Sequence, residues 1–271
     1  MKTTLRINQK LRFLVFFHVP KTGGTSATAA LQPSFAASVT SSGNLSKACL
    51  GSRPGESGVL FHGHAEHDVA RAVPPGAVTA TLLRAPDEQA VSNYCHLLRN
   101  PHLPLHGPAR RLGFSGLMRD HWQLLVFQAV SLDVAISTTP VSTPDDFFAR
   151  LPAIQRFLDR INVVGCLDQI DTFLRDAARR TNHAIPPPAP RLNTAAEFGV
   201  DGREVERLRA EYQALAAIPL LRELMLAEAA LISQAEARCN QWLKSWGLPI
   251  GALRACRPGA VPGMRLEIGV T

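Results

Sequence analysis

Three short segments of the chain carry side chains whose types and spacing are typical of phosphate binding and proton transfer. The first, residues 17–26, combines a lysine, two glycines and several hydroxyls. The second joins Arg84 to Ser92, and the third, residues 62–67, contains three histidines. Each segment follows an apolar run that predicts a buried strand. Because ligands of parallel sheets bind beyond the carboxyl ends of the strands, the three segments are expected to form one site.

The first segment reads Phe17-His18-Val19-Pro20-Lys21-Thr22-Gly23-Gly24-Thr25-Ser26 and predicts an anion cradle. A strand, a glycine turn and a helix start direct several backbone N–H groups at one point, and the helix dipole favours a negative charge there. Lys21 adds a cation, and Thr25 and Ser26 add hydroxyl donors. The lysine precedes the glycines, so this is not the Walker A order. A plain strand-to-helix turn with a solvated lysine is the alternative interpretation.

The second segment predicts a grip on one phosphate from two sides. Arg84 ends a predicted strand and can supply a forked pair of charge-assisted donors, and Ser92 lies two turns into the next helix. An exposed arginine beside an ordinary helix would account for the same residues without a ligand.

The histidine segment, Phe61-His62-Gly63-His64-Ala65-Glu66-His67, allows three interpretations. An imidazole titrates near neutrality and can accept a proton from a substrate hydroxyl, which makes His62 and His64 candidate general bases. Polar surface histidines are the second interpretation. A metal site is the third, but no set of cysteines or carboxylates completes a known ligand spacing, so we expect no metal.

Taken together, these segments resemble the PAPS-dependent sulfotransferases, where PAPS is 3′-phosphoadenosine-5′-phosphosulfate. Pro-Lys-Thr-Gly-Gly-Thr-Ser after an apolar strand is similar to the 5′-phosphosulfate loop of their carbohydrate branch, which includes the heparan sulfate 2-O-sulfotransferases. Arg84, Pro86, Ser92 and Tyr94 match the family's 3′-phosphate motif, Arg-x-Pro-x-x-Arg-x-x-Ser-x-Tyr, whereas Gln89 stands where an arginine is usual. The resemblance covers residues 12–100 well and 160–195 loosely.

The resemblance implies in-line transfer of a sulfuryl group from PAPS to a hydroxyl or amine of a carbohydrate or small-molecule acceptor. Adenosine 3′,5′-bisphosphate would be the second product, and no metal would be needed. The implied general base is His64, with His62 as the alternative and Glu66 as a weaker one. Lys21 would stabilise the leaving oxygen. The implied cofactor-binding residues are Lys21, Thr22, Gly23, Gly24, Thr25, Ser26, Arg84 and Ser92.

The alternatives to a sulfotransferase are a non-catalytic binding protein and a P-loop kinase. The unusual Gln89 leaves room for a non-catalytic protein of the same fold that binds a nucleotide or a polyanion. A P-loop kinase would need a Walker lysine and a strand-end carboxylate for magnesium, and neither is evident. A nucleic-acid partner is not expected, because the chain has 6% aromatic residues and no basic stripe interleaved with them.

The elements that must position these residues alternate between strands and helices, which predicts an α/β fold with a mostly parallel, three-layer, P-loop-like core. Strands are predicted at 12–17, 36–40, 58–61, 77–83 and 161–166, and the helices include 86–99, 117–132, one from 143, 168–180 and 202–243 with a break at Pro219. We expect one sulfotransferase domain over 1–271, with a cofactor-binding core at about 12–195 and a helical region at about 200–271. Residues 100–116, rich in proline and glycine, predict a long loop of the kind that often serves as a lid.

Composition restricts the setting of the protein. The chain has 271 residues, a net charge of +7 and a pI of about 9.6, which favours anionic partners. Its five widely spaced cysteines favour a reducing compartment over a disulfide framework. The apolar run at 13–17 is too short for a signal sequence or a membrane span. We therefore expect a soluble, cytoplasmic protein without a membrane span. Because no Golgi anchor is evident, we expect a bacterial enzyme and not a typical animal glycan enzyme.

Overall fold

The structure of the protein is a computed structural model that describes residues 13–41, 58–64, 67–190 and 201–245. Contacts divide the chain into two compact units that alternate along the sequence. The first, here called the sheet unit, is drawn from residues 1–83 and 130–192. The second, the helical unit, is drawn from residues 84–129 and 193–271. The proposed single domain over 1–271 stays a prediction.

The sheet unit contains five parallel strands, which confirms the predicted α/β fold. Their order across the sheet is β2-β3-β1-β4-β5. The strands are β1 (Leu14–Phe17), β2 (Ala37–Ser41), β3 (Val59–Gly63), β4 (Val78–Leu83) and β5 (Val163–Cys166). Because β1 pairs with both β3 and β4, the segments that follow β1 and β3 leave the sheet side by side.

One face of the sheet packs against α1 (Gly24–Leu31) and α6 (Ile170–Thr181). Alternate strand residues such as Phe16 and Ala80 join Ala27 and Phe173 in this core, and all four side chains are at most 1% exposed. Successive strand residues point to opposite faces, so Phe17 and Thr79 face the other side. There Phe17 meets Phe157, with ring centroids 5.5 Å apart. Helices therefore cover both faces, as parallel strands require.

Phe157 belongs to α5 (Pro144–Arg160), which begins with a side-chain N-cap. Thr143 is extended, and its hydroxyl accepts a hydrogen bond from the backbone N–H of Asp146 at 3.1 Å. Pro144 occupies the first turn, where its missing N–H costs nothing. The predicted helix start at Thr143 and Pro144 is therefore confirmed.

The helical unit contains four helices, in the described part of the chain, that lie wholly within it. These are α2 (Pro86–Arg99), α3 (His106–Asp120), α7 (Gly202–Ala214) and α8 (Pro219–Ser245). The break predicted at Pro219 is present, because a 3₁₀ turn at Leu215–Ala217 separates α7 from α8. A further helix, α4 (Phe127–Ile136), begins in the helical unit and ends in the sheet unit. The helical C-terminal region is confirmed as far as residue 245.

The long loop predicted at 100–116 is wrong over most of its length, because α3 begins at His106. Pro108 lies in the first turn of that helix, where proline is tolerated. Gly113 supplies a kink with φ 68° inside it. The single helix predicted at 117–132 is likewise wrong, since α3 ends at Asp120 and α4 begins at Phe127.

Two further observations concern the length of the apolar helices and the state of the cysteines. Across the described residues, no helix is both long and apolar enough to span a bilayer. Cys95, Cys166 and Cys239 are buried thiols that form no disulfide.

Candidate functional site

The turn after β1 has a backbone conformation that few sequences can adopt. Lys21 has φ 66° and Gly23 has φ 86°, so the chain enters the left-handed region twice within three residues. The hydroxyl of the fully buried Thr22 donates to the carbonyl of Val19 at 2.8 Å and ties the turn together. That hydroxyl is engaged within the turn, so the buried Thr22 stabilises the turn conformation.

Glycine is required at both positions of the Gly23-Gly24 pair. A Cβ at Gly23 would come within 2.3 Å of Leu167, in addition to the positive φ. A Cβ at Gly24 would come within 2.0 Å of the His18 ring. The imidazole of His18 therefore lies directly against the first turn of α1.

The start of α1 is a potential anion-binding point. The backbone N–H of Ala27 donates to the carbonyl of Gly23 at 3.0 Å and is the first bond of the helix. The N–H groups of Gly24 and Thr25 precede it, so they have no acceptor within the helix. The first turn has no acidic residue, and Thr25 is exposed whereas Ser26 is buried. This arrangement suits the negative oxygens of a phosphate or sulfate.

His18 is the centre of the polar cluster in the sheet unit. Its ring stacks on Phe16 with centroids 5.9 Å apart and meets the edge of His64 at 5.0 Å. Burial, and then the proximity of His64, His62 and Lys21, lowers the pKa of His18 to about 4. The imidazole is therefore neutral at pH 7 and lies within electrostatic range of Lys21, His62 and His64, the three residues predicted to act in catalysis.

The two candidate bases differ in accessibility. His62 is 7% exposed, and its Nε2 lies 3.1 Å from the hydroxyl of Ser38 on β2. His64 follows the end of β3 and is exposed. Burial of the ring lowers the pKa of both imidazoles, so both are mainly neutral at pH 7 and able to accept a proton. Of the two imidazoles, His64 is the one open to solvent.

In the helical unit, Arg84 is held by its backbone as well as by its side chain. The buried amide of Gln128 accepts from the Arg84 N–H at 2.7 Å and donates to the Arg84 carbonyl at 2.9 Å. The Arg84 Nε donates to Glu88 at 3.1 Å. The Arg84 side chain is 24% exposed.

Gln128 is in turn fixed by a buried carboxylate. Glu228, 1% exposed, accepts from the backbone N–H groups of Gln128 at 3.0 Å and Ala129 at 3.1 Å. These are the first N–H groups of α4, and a carboxylate is favoured there. Burial nevertheless raises the pKa of Glu228 to about 7.

Ser92 and Gln89, the two other residues of the predicted 3′-phosphate segment, both lie on α2. Ser92 is partly exposed in the middle of the helix, as its predicted role requires. Gln89, which departs from the resembled motif, is 2% exposed, and its side-chain Nε2 lacks a hydrogen-bond partner among the described residues. The departure from the motif is thus a buried amide and not a surface group.

The structure brings Lys21, His62 and His64 together in the sheet unit, whereas Arg84 and Ser92 belong to the helical unit. Glu66, the weaker candidate base, lies outside the described residues. Sequence reasoning did not assign a role to His18 or Gln128. His18 had one usable signal, its place two residues after Phe16 on the same strand face. Gln128 had none, because its partners are 44 and 100 residues away.

Among the described residues, no group of three or more histidine, cysteine, aspartate and glutamate side chains is arranged to hold a metal ion. Comparison with family models gives no match, and no curated protein matches the chain significantly.

Proposed function

We propose that the protein is a sulfotransferase that moves a sulfuryl group from PAPS to a hydroxyl or amine of a carbohydrate or small-molecule acceptor. One observation carries the proposal: the neutral ring of His18, packed on the start of α1, contacts His64 and is close enough to His62 and Lys21 for their charges to lower its pKa. A cation, an accessible base and an anion cradle are the three components that sulfuryl transfer requires. The resemblance to the 5′-phosphosulfate loop and the 3′-phosphate motif favours PAPS as the sulfuryl donor.

In the proposed reaction the acceptor oxygen or nitrogen attacks sulfur while the bond from sulfur to the bridging phosphate oxygen breaks. The acceptor's proton passes to His64, and the negative charge of the broken bond stays on the 5′-phosphate of adenosine 3′,5′-bisphosphate. Lys21 and the N–H groups of Gly24 and Thr25 stabilise that growing charge, as an oxyanion hole does.

His64 is the better base on physical grounds. It is exposed, and its ring touches His18, which is neutral and adds no competing positive charge. His62 is buried against Ser38, which suits an orienting role.

The residues that follow the central strands favour sulfuryl transfer over a magnesium-dependent kinase. His18 follows β1, His64 follows β3, and Arg84 follows β4. Magnesium is held through carboxylates and substrate phosphates, whereas these positions carry imidazoles and a guanidinium.

The direct test uses PAPS labelled in its sulfuryl group, incubated with a panel of polysaccharides, monosaccharides, phenols and amines. Transfer of label to one acceptor class is expected, and it should be lost in His64→Ala. Calorimetry with adenosine 3′,5′-bisphosphate, AMP and ATP provides a second readout. The bisphosphate should bind at least tenfold more tightly, since a second charged phosphate contact is worth about 1.5–3 kcal/mol.

A bisphosphate preference without transfer to any acceptor would favour the non-catalytic binding protein. Equal affinities for AMP and the bisphosphate would contradict the prediction that Arg84 and Ser92 bind the 3′-phosphate. Magnesium-dependent transfer of phosphate from ATP would favour the kinase.

A further inference from the structure

A cleft of about 580 Å³ opens in the sheet unit, away from the start of α1. Phe17 and Thr79 line it from the strands, and both face away from the core shared by α1 and α6. The cleft therefore lies on the opposite face of the sheet from the His18 ring, which stacks on Phe16. Its volume is within the range of small-molecule sites.

More than half of the residues that line the cleft are apolar. Among them, Phe17 and Phe157 meet edge to face with a 65° angle between their rings. Val73, Ile136 and Ile161 extend the apolar surface. Such a surface favours a flat aromatic or short aliphatic body over a fully polar ligand.

The rim of the cleft is positively charged. Arg156 and Arg160 line it from α5 and are exposed. They are four residues apart, so they are neighbours on one face of the helix. Neither has an ion-pair or hydrogen-bond partner within the described ranges. Arg71, the third arginine of the cleft, is paired with Asp68 at 3.1 Å.

Two like charges at this spacing destabilise a helix. Arg160 lies in the last turn of α5, where a cation complements the helix dipole. That reason does not extend to Arg156, one turn earlier. An anion bound between the two guanidinium groups would relieve their repulsion and engage the forked donors of both.

We propose that this cleft binds an amphipathic organic anion, with an aromatic or short aliphatic body on the Phe17 and Phe157 surface and one carboxylate, sulfate or sulfonate between Arg156 and Arg160. The site is separate from the proposed sulfuryl-transfer site, because it lies on the other face of the sheet. It does not depend on the proposed function.

The test is calorimetry of the full chain with three probes: naphthalene-2-sulfonate, the neutral naphthalene-2-methanol and inorganic sulfate. The sulfonate should bind at least tenfold more tightly than either of the others, because only it uses both the apolar surface and the charged rim. Equal affinity for the neutral probe, equal affinity for sulfate, or no sulfonate binding would each overturn the proposal.

Amino-acid substitutions test whether the sulfonate binds in this cleft. Arg156→Gln with Arg160→Gln should weaken the sulfonate by about tenfold to a hundredfold, the cost of lost charge-assisted contacts. Ala153→Leu, which fills the cleft without changing charge, should weaken it as well. The matched control is Arg175→Gln, an exposed arginine on α6, which should have no effect. Circular dichroism checks that each variant is folded. Unchanged binding in folded Arg156/Arg160 and Ala153 variants would contradict the site, and the three-probe comparison on the unaltered chain stands without any variant.

Discussion

At the scale of single residues, the candidate site is organised by a histidine that has no assigned role in the motif. His18 packs on the start of α1 so closely that residue 24 must be glycine, and its ring contacts His64. Because its pKa is lowered to about 4, it stays neutral at pH 7. A neutral ring at this position adds no positive charge beside Lys21 and His64, the proposed general base.

His64→Ala is expected to reduce sulfuryl transfer by about 100–10,000-fold, the usual contribution of a general base, and to leave bisphosphate affinity intact. Only the neutral imidazole accepts a proton, so the wild-type rate should rise with pH. Burial lowers the pKa of His64, which places that rise below pH 6.5 with a plateau at neutral pH. The measurement is the pH profile of turnover, in which the step should be absent from His64→Ala.

His62→Ala is the matched control for His64 and should have a smaller effect, partly as weaker acceptor binding, because His62 is buried against Ser38. A fully active His64→Ala together with an inactive Glu66→Gln would show that the general base is the carboxylate of Glu66 and not His64.

Lys21→Ala should lower turnover by about 100–1000-fold and cofactor affinity much less, since the lysine matters most when charge develops on the leaving oxygen. Turnover at saturating PAPS and acceptor, together with bisphosphate calorimetry, separates the two effects. Near-wild-type turnover would show that Lys21 is only a residue of the turn.

At the scale of elements, a chain of buried hydrogen bonds in the helical unit fixes the backbone where β4 ends and α2 begins. α8 contributes Glu228, which binds the start of α4, and α4 contributes Gln128, which binds both backbone groups of Arg84. Two elements distant in sequence thus set the position of one arginine. Its guanidinium is then oriented by Glu88 on the first turn of α2.

Gln128→Met, which keeps the size of the side chain and removes both hydrogen bonds, should reduce the preference for adenosine 3′,5′-bisphosphate over AMP. The reason is that Arg84, the predicted 3′-phosphate ligand, loses its fixed backbone. Calorimetry of both nucleotides measures the preference. AMP affinity should remain, because AMP lacks the phosphate that Arg84 is predicted to bind.

Arg84→Ala gives the upper limit of this loss, about 1.5–3 kcal/mol for a charged hydrogen bond. If wild type shows the preference and Gln128→Met keeps all of it, the backbone contact has no part in recognition.

At the scale of the whole molecule, two buried groups give the folding stability opposite dependences on pH. The unfolded chain binds a proton at His18 near its ordinary pKa of 6.5, whereas the folded pKa is about 4. Stability from His18 is therefore present above pH 6.5 and lost as the pH falls toward 4. Glu228 acts in the other direction, because its pKa is raised on folding.

Glu228→Gln should stabilise the protein at alkaline pH. Between the ordinary pKa of 4.5 and the folded value of about 7, the folded chain keeps a proton that the unfolded chain releases, so stability falls as the pH rises through this window. The penalty above pH 7 is on the order of 3 kcal/mol. Glutamine resembles the protonated carboxyl, so the variant should match wild type near pH 5 and exceed it at pH 8. Thermal unfolding at the two pH values measures this.

Glu223→Gln, an exposed change on the same helix, is the control and should shift stability little at either pH. A Glu228→Gln variant less stable than wild type at pH 8 would mean that the carboxylate's two backbone hydrogen bonds outweigh its burial.

The sequence by itself determined the elements and the chemistry of their ends. Apolar runs specify β1 and β4, and Thr143 with Pro144 specifies the start of α5, because these signals act within a few residues. The Gly23-Gly24 turn and its lysine are local in the same sense, which is why the turn and the helix start after β1 could be predicted. Local signals misled at 100–116, where Pro108 and Gly113 mark the first turn and a kink of a helix and not a loop.

Only the tertiary structure decided which side chains meet. Placing β1 between β3 and β4 brings His64 to His18, although 46 residues separate them, and folding the helical unit brings Glu228 to Gln128 across 100 residues. No periodicity encodes such pairs, since strand and helix patterns specify a buried face and not the partner that covers it. The same limit holds for the cleft beside Arg156 and Arg160, because an empty space between elements has no sequence signature.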